Sequence, residues 1–112
     1  MIEQIIISYL NRNMDVEAYA EVPEKPPAKF IVIEKTGSSF INRIKYATVA
    51  VQSWAKRMED AMLLNEAVKG AMLDGLITLD EIGSITLNSD YNFTDTSTRT
   101  YRYQAVFDIV YY

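Results

Sequence analysis

Apolar residues in the middle of the chain change their spacing once, and the change predicts where a strand gives way to a helix. Over Ile44–Gln52 they mostly alternate with other residues, the two-residue period of a strand. From Trp54 onward they recur every three or four residues, which places them on one face of a helix. Ser53 suits the helix start, because its hydroxyl can accept from a free amide in the first turn, and Gly75 suits its end. We therefore predict one long helix over about 54–74.

The first part of the chain predicts one short helix and two short strands. Apolar residues at helical spacing over 2–10 predict an amphipathic N-terminal helix, although its β-branched residues leave a strand open as an alternative. Alternation over 16–22 predicts a strand, which Pro23 ends because proline has no amide hydrogen to donate. FIVIEK at 30–35 predicts the next strand, and the polar residues Thr36–Ser39 predict a loop after it.

Two more strands are predicted after the long helix. A short one covers about 82–87, and a polar loop follows at 88–97. The alternation over 101–112 is the clearest in the chain, and so long an aromatic strand should lie inside the sheet or meet a partner rather than form a bare edge. The prediction is one α+β domain over 1–112, with a mostly antiparallel or mixed sheet of about four to five strands and both helices packed on it.

Composition removes several classes of function. The chain has 112 residues, no cysteine and no histidine, which excludes disulfides and thiolate metal sites and removes the commonest acid–base residue. The net charge of −4 argues against a surface built to grip nucleic acid. No apolar run has the roughly 20 residues of a membrane helix. The start lacks the basic segment of a signal peptide, so we expect a protein made in a reducing cytoplasm.

Candidate catalytic and metal motifs do not withstand inspection. The segment 90–101 opens with the spacing of a calcium loop, but Asp95 stands where such a loop needs glycine and Tyr101 where it needs glutamate. The acidic pairs Glu59–Asp60 and Asp80–Glu81 diverge on either a helix or a strand. We expect no catalytic, cofactor or metal residues and a protein that is not an enzyme. An enzyme that uses only carboxylates, lysine or tyrosine stays open as an alternative.

Tyrosine is the one unusual feature of the composition. Five of the eight tyrosines lie between Tyr91 and Tyr112, and tyrosine is favoured at protein interfaces because it combines apolar area with a polar tip. Arg99 and Arg102 could add planar charged contacts. These residues are either part of an interface or packed within the sheet.

Three segments together carry a family resemblance. The first is a proline-rich turn with the strand after it, VPEKPPAKFIVIEKTG (22–37). The second is VAVQSWA (49–55), which leads into the alanine-rich EDAMLLNEAVKGAM (59–72). The third is a polar loop with the final strand, YNFTDTSTRTYRYQAVFDI (91–109). With these segments, nearly the whole chain resembles the tail terminator (tail completion) proteins of long-tailed bacteriophages and related prophages.

The resemblance implies a structural role and a sheet with helices packed on it. Such proteins assemble, usually as a hexameric ring, on the tail tube protein at the end of the tube. They stop tube polymerisation and present a docking face to the head-completion proteins, while DNA passes through the lumen without sequence-specific binding. The location implied is the virion tail, assembled in the bacterial host cytoplasm. A head–tail connector or head-closure protein, and a small non-catalytic ligand-binding α+β domain, remain as alternatives.

Two polar stretches, 38–43 and 88–100, are candidate surfaces for assembly. This choice comes from composition and expected exposure, not from the resemblance. The candidate interface residues are Ser38, Ser39, Phe40, Arg43, Tyr91, Phe93, Arg99, Tyr101, Arg102 and Tyr103.

Overall fold

The computed structural model describes residues 1–95, 97 and 100–112, which form two α-helices and a five-stranded sheet. In chain order the elements are α1 (Ile2–Asn13), β1 (Ala18–Tyr19), β2 (Lys29–Ile41), β3 (Ile44–Ala55), α2 (Met58–Gly70), β4 (Ile82–Asn92) and β5 (Tyr101–Tyr111). The helical backbone continues past α2 as a π turn, Ala71–Gly75, and ends in a 3-10 turn, Leu76–Thr78.

The sheet has the strand order β1-β2-β3-β5-β4. Only β1 and β2 run parallel, and the other neighbours are antiparallel. The predicted α+β fold, with a mixed sheet, a short N-terminal helix and one longer helix packed on the sheet, is confirmed. The last strand, β5, lies between β3 and β4. This confirms the prediction that the long aromatic strand lies inside the sheet and is not a bare edge.

The core lies between the sheet and the two helices. Ile2, Ile6 and Leu10 of α1 are fully buried because their spacing puts them on one face of that helix. They join one apolar cluster with Val49 of β3 and Phe107 of β5. We call this side of the sheet the helix-covered face. Burying each such side chain favours folding by about 1.5–3 kcal/mol.

The long helix begins at Met58, not near residue 54 as predicted. Trp54 is still part of β3, where it pairs with Phe30 of β2 and Arg102 of β5. Ser53, the predicted cap, is fully buried in the strand, and its hydroxyl has no hydrogen-bond partner among the described residues. The helical spacing that starts at Trp54 was misleading because pairing with distant strands, which local spacing does not report, keeps this residue extended.

Two other predictions about the first strands are wrong. The strand predicted over 16–22 is only Ala18–Tyr19. The side chain of Asn11 in α1 binds both the amide and the carbonyl of Ala18, at 2.7 and 3.3 Å. A helix side chain, not another strand, therefore satisfies these two backbone groups of β1. The loop predicted at Thr36–Ser39 is instead part of β2, which continues to Ile41.

Candidate assembly surface

Strands β2 and β3 form a long hairpin whose far end projects from the rest of the molecule. The turn has two residues, Asn42 and Arg43, both with positive φ, 52° and 65°. This is the turn geometry that matches the natural twist of paired strands. We call residues 36–46 the arm. Strand β5 ends opposite Lys45, so the tip of the arm, residues 40–44, extends past the neighbouring strand.

The arm carries large apolar side chains that the core does not use. Phe40 is 66% exposed and Ile41 is 56% exposed. Register places Phe40 opposite Lys45 on the side of the sheet that carries the helices, where the Lys45 ammonium lies 5.6 Å from the centre of the Tyr111 ring. Tyr46 lies on the opposite side and is 38% exposed. Both sides of the arm therefore offer apolar surface to solvent.

The side of the sheet away from the helices, which we call the helix-free face, has a cleft at the base of the arm. The cleft has a volume of about 380 Å³. Its polar lining comes from Ser39, Tyr46, Thr48, Ser84, Thr86 and Asp108. These residues lie on four adjacent strands, β2, β3, β5 and β4, and register brings them side by side. The cleft is a shallow site lined with hydroxyl groups around one carboxylate.

Hydrogen bonds from both sides fix the Asp108 carboxylate. The hydroxyl of Thr48 donates to Oδ1 at 2.9 Å, and the amide nitrogen of Asn88 donates to Oδ2 at 3.0 Å. No lysine or arginine of the described residues lies within 4.0 Å of it. Because each carboxylate oxygen has two acceptor positions, the group can still accept from a cation that enters the cleft.

The other end of the helix-free face carries a ladder of ring contacts. Tyr19 meets Phe30 edge-on with centroids 6.3 Å apart, and Phe30 stacks on Trp54 at 5.3 Å. The Arg102 guanidinium lies 4.7 Å from the centre of the Trp54 ring and 4.4 Å from that of Phe93. Its Nε also donates to the Phe93 carbonyl at 2.6 Å. The ladder spans the whole sheet, and Arg102 is fixed inside it.

Two glutamines beside this ladder satisfy each other. Trp54 Nε1 donates to Gln52 Oε1 at 3.1 Å, Gln52 Nε2 donates to Gln104 Oε1 at 3.1 Å, and Gln104 Nε2 donates to the Tyr91 hydroxyl at 2.6 Å. Both glutamines are buried. These polar side chains therefore satisfy one another within this end of the face.

The predicted interface residues do not form one surface. Ser38, Ser39, Phe40 and Arg43 are all exposed on the arm. Phe93 and Arg102 belong to the ladder, and Tyr91 meets Phe93 edge-on with ring centroids 5.9 Å apart. Tyr101 and Tyr103 are half-buried on the same side of β5 as Phe107. Arg99 lies outside the described residues. The two groups are at opposite ends of β5, roughly 30 Å apart along the strand.

Sequence reasoning missed Asp108 and the residues that orient it. In the sequence Asp108 is one polar position in an alternating strand, which any solvent-facing residue would satisfy. Thr48 and Asn88 are 60 and 20 positions away from it in the chain. Only the pairing of β3, β5 and β4 brings these side chains together.

Hydrogen bonds at the surface shift the pKa values of Asp95 and Tyr19. Hydrogen bonds from the backbone and hydroxyl of Ser97 lower the pKa of Asp95, and the hydrogen bond to the Glu17 carboxylate raises the pKa of Tyr19. No three acidic side chains within residues 1–95, 97 and 100–112 are arranged to hold a metal ion. Within the same ranges, no helix is both long and apolar enough to cross a membrane.

The fold and its surfaces define an α+β protein with a mixed five-stranded sheet and a projecting hairpin. No protein-family model matches the chain, and a search of curated proteins finds no match.

Proposed function

We propose that this chain is a structural assembly protein of a phage or prophage tail. In this proposal it caps the tail tube as a ring, stops tube polymerisation and forms the tail-side interface for head joining. It acts without catalysis or cofactor, in a virion tail assembled in the bacterial cytoplasm. Three segments that resemble tail terminator proteins support the proposal, and so does the α+β fold that the resemblance implies. The observation that carries it is the arm.

The arm supports a contact between copies because it leaves apolar surface unused. An exposed phenylalanine forgoes about 1.5–3 kcal/mol that burial would provide. Phe40 and Ile41 are exposed on opposite sides of the projecting tip, so a partner that encloses the tip would bury both side chains. An arm that binds a surface of different shape on the next copy makes a head-to-tail contact. Repeated around an axis, a head-to-tail contact closes a ring.

The charge of the chain is consistent with a ring around DNA. A net charge of −4 gives little attraction for phosphates, so DNA could pass the lumen without being held. The proposed number of six copies, the tail tube protein as the platform and the head-completion protein as the second partner rest on the resemblance.

The proposal is tested by measuring native mass from about 1 μM to about 300 μM, since assembly follows mass action. We expect ring-shaped particles, or a monomer that forms caps on purified tail tubes in electron micrographs. The double variant Phe40→Ser/Ile41→Ser should lose both activities while remaining folded. Met62→Ser/Leu63→Ser removes comparable exposed apolar surface from α2 and is the matched control. A chain that neither forms rings nor caps tubes would overturn the proposal.

A small ligand-binding domain is the second candidate, and the cleft favours it. A volume of about 380 Å³ with converging polar groups is within the range of small-molecule sites. This function would be favoured if a small molecule slowed amide hydrogen exchange in the strands that line the cleft and the chain did not self-associate. A head-closure role would instead be indicated by binding to head-completion proteins without any binding to tubes.

A further inference from the structure

The tip of the arm and the cleft at its base carry opposite charges. We propose that the tip of one copy inserts into the cleft of the next copy, where the guanidinium of its turn residue Arg43 pairs with the Asp108 carboxylate. This inference rests on the proposed function, and it names the partner of the cleft as a second copy of this chain.

Arg43 occupies a position that folding alone would give to another residue. The second residue of such a two-residue turn needs positive φ, and glycine is preferred there because it has no Cβ. Arginine at φ 65° is disfavoured by roughly 1–2 kcal/mol. Its side chain is exposed and has no carboxylate within 4.0 Å among the described residues. Unfavourable backbone conformations tend to persist where a side chain is needed for function.

Asp108 is the complementary half of the contact. Thr48 and Asn88 hold its two oxygens in a fixed orientation, and the group is half-buried with no cation beside it in the described part of the chain. Partial burial of an unpaired carboxylate is unfavourable. A planar guanidinium can donate two parallel hydrogen bonds to such a group, so an arginine relieves that penalty.

The arginine cannot come from the same copy. Thr48 lies opposite Asp108 on the neighbouring strand, and Arg43 is five residues further along, roughly 16 Å of strand away. Backbone pairing between β2 and β3 continues without a break from Gly37–Thr48 to Ile41–Ile44. The strands therefore hold the tip away from its own cleft. Each copy thus has one tip to give and one cleft to fill, in equal number, which is the stoichiometry of a head-to-tail chain or ring.

Charge variants test the contact directly. Arg43→Glu and Asp108→Asn should each raise the dissociation constant for self-association about tenfold or more, because each leaves one charge of a desolvated pair without its partner. Lys45→Glu changes the same charge on the same arm, and Glu34→Gln removes a carboxylate from β2 outside the arm. These two controls should change the constant by less than about threefold. Equal effects of variants and controls would refute the contact.

Mixing the two variants gives a stricter test. The Arg43→Glu chain keeps an intact cleft, and the Asp108→Asn chain keeps an intact tip. A mixture should therefore form heterodimers with one intact contact and nothing larger in native mass spectra. If the mixture stays monomeric while the wild type forms rings, the tip and the cleft do not meet, although the ring function would stand.

Crosslinking covers the case in which the wild type associates only weakly. The chain has no cysteine, so Ile41→Cys on the tip and Ser84→Cys at the cleft can be mixed and oxidised without interference. A disulfide needs Cα atoms within about 7 Å of each other. Since the proposed contact brings the tip to the cleft, we expect a covalent dimer. Ile41→Cys mixed with Met62→Cys of α2 is the control and should give none. No crosslink, or equal crosslinking in the control, would overturn the inference. Failure of the wild type to form rings or cap tubes would instead count against the proposed function.

Discussion

The β2–β3 hairpin has two halves, one on each side of the register shift between Lys35 and Gly37, and the two halves have different surroundings. In the half within the body of the protein, Ile31 and Ile33 are at most 2% exposed because the helices cover them. In the arm, Phe40 and Ile41 are more than half exposed, although they continue the same strand and pair with the same partner. Strand pairing therefore extends the hairpin without burying it, and burial needs a second layer. The body half stabilises the fold, and the arm half is available to another molecule.

Two phenylalanines test this difference most strongly. Phe107→Ala removes a fully buried ring and should lower the free energy of unfolding by about 3–5 kcal/mol, since it leaves a cavity. Phe40→Ala makes the same chemical change on the arm and should alter stability by less than about 0.5 kcal/mol. Urea unfolding of both variants measures this contrast. Similar losses would show that the arm packs against the body.

Two glycines make the same comparison on a smaller scale. A Cβ at Gly75 would collide with the ring of Tyr9, whereas a Cβ at Gly37 on the arm would meet nothing within 4 Å. Gly75→Ala should cost about 1–2 kcal/mol, because the half-buried ring has to move. Gly37→Ala should be neutral or slightly stabilising. When Tyr9 is also replaced by alanine, Gly75→Ala should no longer lower the stability. Thermal unfolding of the wild type, the two single variants and the double variant measures this. A cost at Gly75 that persists without the Tyr9 ring would contradict the explanation.

The turn of the arm should become more stable when its charge is removed. Arg43→Gly relieves the positive φ of an arginine and should raise the free energy of unfolding by about 0.5–1 kcal/mol. Self-association should weaken in the same variant. Denaturant melts and sedimentation would be measured on one preparation. A variant that loses stability would show that Arg43 serves folding rather than contact.

The smallest expected effect is at an ion pair on the body. Lys69 of α2 pairs with Asp90 of β4 and with Glu66, and these hydrogen bonds raise the pKa of Lys69 above its ordinary value of 10.5. Lys69→Met should cost about 0.5 kcal/mol. Since the folded pKa is raised, this contribution is complete below pH 10.5 and is lost as the pH rises through the folded value. When stability is measured against pH, the difference between the wild type and Lys69→Met should shrink as the pH rises through the folded pKa of Lys69. Lys35→Met should show no such pH dependence.

Local patterns predicted the elements of this fold, but long-range pairing decided where they end. The alternation in the last strand was enough to place it inside the sheet. Trp54 fitted a helix by spacing, yet Phe30 and Arg102 hold it in a strand. The arm was invisible as a strand because exposure on both sides leaves no apolar–polar alternation in Thr36–Ser39.

Only part of the candidate site could be predicted, because long-range strand pairing also decides which side chains meet there. Composition indicated that Phe40 and Arg43 would be exposed, and they are, although they lie on a paired hairpin and not in the expected loop. It also grouped Tyr101 and Tyr103 with the exposed residues, although strand phase turns them towards the side that carries the helices. Asp108 was not predicted, because its surroundings come from three strands that only the folded sheet brings together.

The irregular step in β2 has a consequence for how the arm can vary. Pairing shifts by one residue between Lys35 and Gly37, so odd-numbered positions such as Ile33 face the helices before the step, and even-numbered positions such as Phe40 do so after it. Such a bulge uncouples the phase of one stretch of strand from the next. Gain or loss of a single residue at this step would exchange the two sides of that strand of the arm while leaving the core in register. Descendants of this sequence could in this way alter what the tip presents without rebuilding the domain that carries it.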